Sequence, residues 1–154
     1  MGSSTTKYNK VNFEDIQYFI NNKRYNQYNI ILLHSLESSN EKLLIKNSIP
    51  ANQEEELINS IIENTNSTYK MENTYIFIYG KNNDDNKPYS KYDKLIQHGF
   101  SRENIFIYSG GLFEWLLLQD IYTFELFPTN IRVDDFLGYK QDSLTTQTYK
   151  LLGI

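Results

Sequence analysis

Three stretches of the chain are almost unbroken runs of apolar residues: Asn29-Ile30-Ile31-Leu32-Leu33-His34-Ser35, Thr74-Tyr75-Ile76-Phe77-Ile78-Tyr79 and Asn104-Ile105-Phe106-Ile107-Tyr108. Short runs rich in β-branched and aromatic residues, with polar residues at both ends, predict strands buried on both faces. The segments between them switch to helical spacing. Phe13, Ile16, Phe19 and Ile20 follow Asn12, which predicts a short amphipathic helix with Asn12 as its N-cap. After Pro50, Leu57, Ile58, Ile61 and Ile62 share one helix face, and Glu54, Glu55 and Glu56 cluster in the first turn, where the macrodipole favours acids. Leu43 to Ile45 forms a brief extension before it. Pro88 opens a helix holding Tyr92, Leu95 and Ile96 that stops at Gly99, and a hydrophobic helix from Leu112 to about Asp120 follows Ser109-Gly110-Gly111.

Strands alternating with helices through short connections predict right-handed crossovers and an α/β domain with a mainly parallel central sheet and helices on both faces. Ligand sites in such sheets lie in the loops at the carboxyl ends of strands, which singles out Gly80 to Lys87. Residues 1–11 are polar without apolar periodicity and predict a loose arm; residues 12–128 form the domain. The tail, 129–154, carries Ile131, Val133, Phe136, Leu137, Leu151, Leu152 and Ile154, a set suited to packing back on the domain or to docking a partner.

Composition narrows the chemistry. With 154 residues and 18.2 kDa, area scaling gives burial of about 18,000 Å² on folding, enough for one domain without staples. The chain has no cysteine, so disulfides, thiolate metal sites and cysteine nucleophiles are excluded together. A net charge of -4 and a pI near 5.2 give no basic field for phosphates, which argues against a nucleic-acid partner. Ala51 is the only alanine, while Asn, Ile, Tyr and Lys abound, a bias expected of AT-rich coding and without functional weight. No apolar run reaches the roughly 18 residues a membrane span needs, and no signal-peptide core is visible, so a cytoplasmic protein is expected. Met1-Gly2-Ser3-Ser4-Thr5-Thr6 fits the myristoylation pattern at Gly2, against the plainer reading of a polar start, and a single acyl chain would give only reversible membrane binding. Asn66-Ser67-Thr68 fits a glycosylation sequon but reads as a polar loop.

The segment Asn104-Ile105-Phe106-Ile107-Tyr108-Ser109-Gly110-Gly111-Leu112-Phe113-Glu114-Trp115 resembles the end of a rhodanese-like domain, in which a strand of the form N-V-Y-x-L runs into G-G-x-x-x-W. Asn47-Ser48-Ile49-Pro50-Ala51-Asn52 stands where that family has G-H-I-P-G-A, and Gly99-Phe100 matches the G-F before its last strand. The resemblance covers about residues 12 to 127 and implies the three-layer rhodanese-like fold. Gly111 to Tyr122 followed by Phe127-Pro128-Thr129 resembles a eukaryotic and viral subgroup of stand-alone domains.

In the family, the loop after the strand that corresponds to Thr74–Tyr79 begins with a cysteine whose sulfur is cradled by backbone N–H groups. The resemblance puts Gly80, after Tyr79, at that position. The loop is about two residues longer than is typical and carries Asp84 and Asp85 where a cation is common, and His34-Ser35-Leu36 replaces the usual D-V-R. Carboxylates repel thiosulfate and phosphate. The enlarged loop is also similar to that of dual-specificity phosphatases of the cell-cycle type, but their cysteine and arginine are absent. The resemblance therefore implies a catalytically inactive binding or regulatory module with a protein partner, no cofactor and no catalytic residue. Its binding-loop candidates are Gly80, Lys81, Asn82, Asn83, Asp84 and Asp85, against the plainer reading of a solvated crossover loop. The alternative is an enzyme of altered, non-thiol chemistry using Lys81 with Asp84 or Asp85; a buried lysine beside a carboxylate would favour it.

Other chemistries find little footing. Adjacent Asp84 and Asp85 rarely converge on one ion, so no metal is expected. His34 and His98 are far apart in sequence and read as structural or surface residues, and Ser35, Ser90 and Ser109 lack a nucleophile-elbow context. Trp115 with Phe113, Leu116 and Leu117 reads as core before it reads as a partner face.

Overall fold

The computed structural model describes residues 8–22, 24–25, 28–38, 42–63, 70–133, 135–144 and 153. Gly2 and the sequon at Asn66 therefore lie outside the described residues. The chain runs β1 (Lys10–Val11), α1 (Phe13–Asn21), β2 (Arg24–Tyr25), β3 (Tyr28–His34), α2 (Ala51–Ile62), β4 (Thr74–Tyr79), α3 (Lys87–Gln97), β5 (Ile105–Tyr108) and α4 (Gly111–Ile121), with single 3-10 turns at Met71–Asn73, Arg102–Asn104 and Leu137–Tyr139. Among the described residues these strands form one sheet in the order β1-β5-β4-β3-β2, parallel except for β2, which runs antiparallel to β3.

The apolar runs produce this architecture because alternate residues of each strand feed opposite cores. Leu32, Phe77, Tyr79 and Tyr108 face α1 and α4, packing with Ile16, Ile20, Leu112, Trp115, Leu116 and Phe127. Ile31, Leu33, Ile76, Ile78, Ile105 and Ile107 face α2 and α3, packing with Ile58, Ile61, Tyr92 and Leu95. Helices cover both faces, as the sequence predicts. Asn12 caps α1 in a reciprocal capping box with Asp15, its side chain accepting from the Glu14 and Asp15 amides.

Two segments differ from the sequence reading, and a third takes one of the two courses left open for it. Residues 8–11 are not a loose arm: β1 pairs with β5, Tyr8 packs edge-on against Tyr89 and Tyr92, and the Asn9 side chain donates to the Arg102 carbonyl at 2.7 Å. The Leu43 to Ile45 extension shrinks to a single bridge between Ile45 and Thr129. The tail, as far as residue 144 is described, packs back: Val133, Phe136 and Tyr139 lie against the α1/α4 core, and the Asn130 side chain accepts the Leu44 amide and donates to the Lys42 carbonyl.

Candidate functional site

Register sets the site. His34 pairs with Tyr79, which pairs with Tyr108, which pairs with Val11, so the parallel strands end level and their following loops share one rim. That rim holds an open polar cleft of about 300 Å³ lined by Ser35, Leu36 and Glu37 after β3, by Lys81, Asn82, Asp84, Asp85 and Lys87 after β4, and by Lys140, Gln141 and Asp142 of the tail.

Beneath the cleft, two tyrosines anchor the strand ends. The Ser48 hydroxyl donates to the Ile45 carbonyl at 2.6 Å, so the Tyr79 phenol donates to Ser48 Oγ at 2.7 Å while accepting the Ile45 amide at 3.1 Å. That network fastens the segment before α2 under β4. Burial pushes the Tyr79 phenol far above the ordinary tyrosine range, and burial with a hydrogen bond to the Glu114 carboxylate at 2.7 Å does the same for Tyr108. Neither is poised for proton transfer near neutral pH. Burial also raises the Tyr139 phenol on the tail.

The Gly110-Gly111 turn braces the loop from the β5 side. Gly111 has φ +72, and a Cβ there would lie 2.9 Å from Asn82 backbone atoms. Both the left-handed backbone and the close approach require glycine. The approach lets the Leu112 and Phe113 amides donate to the Gly80 and Lys81 carbonyls, each at 2.9 Å.

Gly80 is buried at the end of β4, below the cleft wall. The loop after it is organised by Asp85, whose Oδ2 accepts the Lys81 amide at 2.9 Å and whose Oδ1 accepts the Lys87 amide at 3.0 Å. Asn82 Oδ1 accepts the Asp84 amide at 3.0 Å, and Asn82 Nδ2 donates to the Tyr139 carbonyl at 3.0 Å. Asn83 is exposed and its Oδ1 accepts from the Gln141 side chain. Asp84 is exposed, and Lys81 is half-buried. Lys87 Nζ pairs with Glu37 at 2.8 Å on the open surface. Lys81 is half-buried and no ion pair joins it to Asp84 or Asp85, so the buried lysine–carboxylate pair that would favour the altered-enzyme alternative is not formed among the described residues.

The structure thus brings Lys81, Asn82, Asp84 and Asp85 to one cleft, sets Gly80 under it and turns Asn83 to the tail. Glu37, Lys87, Lys140 and Asp142 complete the charged lining and are not among the binding-loop candidates, although Lys87 closes the loop that the sequence marks. The only linear signal for Glu37 is its position after the first buried strand. His34 is buried in the sheet end, where its Nδ1 accepts the Leu36 amide at 3.1 Å, and His98 is exposed at the end of α3. Lys91 Nζ donates to the His34 carbonyl at 2.8 Å and pairs with Glu54 at 2.6 Å, tying α3 to α2 behind the cleft. No group of three metal-ligating side chains occurs among the described residues.

Neither a protein-family model nor a curated protein matches the sequence. Among solved structures, the chain is similar to the As-Sb reductase from Leishmania major, at 12% identity over 94% of this chain and 99% of that one, with a TM-score of 0.58. It is also similar to the BH2092 protein from Bacillus halodurans, at 20% identity over 94% of this chain and 89% of that one, with a TM-score of 0.51. At such identities the likeness is one of fold alone, and the chain has a rhodanese-like α/β fold, a three-layer domain with a mainly parallel sheet and helices on both faces.

Proposed function

We propose that this chain is a catalytically silent rhodanese-like module that binds a protein partner through the rim of its β4 loop. The observation that carries this reading is the pairing of Gly80 with a loop whose cleft is open, polar and mixed in charge. Gly80 brings no reactive atom, and no cysteine exists anywhere to replace it. Lys81, Lys87 and Lys140 share the rim with Glu37, Asp84, Asp85 and Asp142. A surface of this kind suits specificity through charge complementarity. Cytoplasmic residence and acylation at Gly2 belong to the same proposal, and intact mass from eukaryotic cells tests the latter: an unmodified Gly2 removes it.

The test is capture from the source cell with the native chain and with a charge-swapped rim, Lys81→Glu with Asp84→Lys. The reading expects a partner retained by the native chain and lost by the variant, with both melting alike. Equal retention by the two chains would place the contact elsewhere and overturn it.

A further inference from the structure

The conformation of Gly80 poses a question that the fold alone leaves open. Its φ lies outside the left-handed region that demands glycine. The constraint is space: a Cβ at position 80 would sit 2.9 Å from Asp85 Cγ, closer still to Asp85 Oδ2, and 2.8 Å from Pro88 Cγ. The atoms filling that space belong to a carboxylate held at both oxygens. Asp85 Oδ2 takes the Lys81 amide and Oδ1 takes the Lys87 amide, so backbone donors from two sides of the loop converge on one internal anion. Lys87 is the first residue of α3, whose N-terminal end favours negative charge, whereas Lys81 lies outside any helix. Asp85 therefore does more than accept the first amide of α3, because it also fills the room beside residue 80.

We propose that the Asp85 carboxylate is a built-in plug: it occupies the amide cradle of the β4 loop as an intramolecular anion and keeps oxyanions of the sulfate and phosphate class out. Converging backbone N–H groups form anion-binding concavities, and here the anion is covalently part of the chain. Removing it would leave the Lys81 and Lys87 amides without their acceptor in a cleft where Lys81, Lys87 and Lys140 then stand against Glu37, Asp84 and Asp142, so the excess of negative charge that Asp85 brings is relieved and the freed amides are open to an external anion. Glycine at 80 and aspartate at 85 are then two halves of one arrangement. The inference deepens the silent-loop reading and rests on it only for the identity of the loop.

The experiment follows backbone amide shifts of the full chain during titration with sodium sulfate, with ionic strength held constant by chloride. The native chain is expected to show no saturable shift at Lys81 or Lys87, while Asp85→Ser, which keeps a turn-capping oxygen, and Asp85→Gly show saturable shifts confined to residues 80–87. Saturable shifts in the native loop would overturn the plug, as would their absence in folded Asp85 variants. A measurement on the native chain guards against variants that fail to fold: scalar couplings across the hydrogen bonds from the Lys81 and Lys87 nitrogens to the Asp85 carboxylate carbon should be present, and their absence overturns the proposal. Loss of partner capture would leave these couplings unchanged, so the two readings fail separately.

Discussion

Trp115 is fully buried, edge-on to Tyr108 and Phe127, and its indole N–H donates to the Pro128 carbonyl at 3.1 Å. Trp115→Ala is expected to cost about 3–5 kcal/mol by chemical denaturation, the range for deleting a large core aromatic. An unchanged midpoint would remove Trp115 from the core. The tyrosines make a pH prediction. Tyr79 and Tyr108 have folded-state values raised above the ordinary 10.0, so the stability they contribute is fully present below pH 10 and is lost as pH climbs from there toward those values. A tyrosinate absorbance titration should show both phenols silent until alkaline unfolding, and early smooth ionisation of every tyrosine would contradict their burial. The core role of Trp115 is legible from its place directly after a buried strand. Asp85 is not legible as a plug, because its meaning depends on two amides and a missing side chain that only the folded loop brings together.

Among elements, the strands buried on both faces declare themselves, since a run such as Ile76-Phe77-Ile78-Tyr79 has apolar partners on either side and needs no polar alternation. The two-residue edge strands do not. Lys10 and Val11 carry no pattern, and it is the unpaired edge of β5, with the Ile107 amide donating to the Asn9 carbonyl at 2.8 Å, that makes them a strand. Helix starts read better than strand edges because caps are local: Asn12→Ala should destabilise the protein by about 1 kcal/mol through loss of the capping box, measurable by thermal melting. Gly111→Ala is expected to lower the melting point further than Asn12→Ala does, as the Cβ would press on the Asn82 backbone from a left-handed position. Equal effects would mean that the β5–α4 turn does not brace the loop.

Over the whole molecule, the tail is what turns a strand-end loop into a walled cleft. Phe136 packs on Phe113 of α4 at 6.1 Å between ring centroids, the Tyr139 carbonyl accepts from Asn82, and Lys140 to Asp142 line the far side. Phe136→Ala should speed hydrogen exchange at Asn82 and Asn83 while leaving the sheet protected; uniform acceleration would mean global destabilisation instead. The hydrophobic positions 133 and 136 are visible in the sequence as suited to packing, yet which surface receives them depends on distant partners that linear spacing does not encode. No helix among the described residues is long and apolar enough to cross a membrane. The proposed module has a rhodanese-like fold with no thiol to carry sulfur. Incubating the purified full-length chain with thiosulfate and cyanide tests its silence most directly: thiocyanate should form at the rate of the protein-free blank, and turnover above that blank would contradict the account.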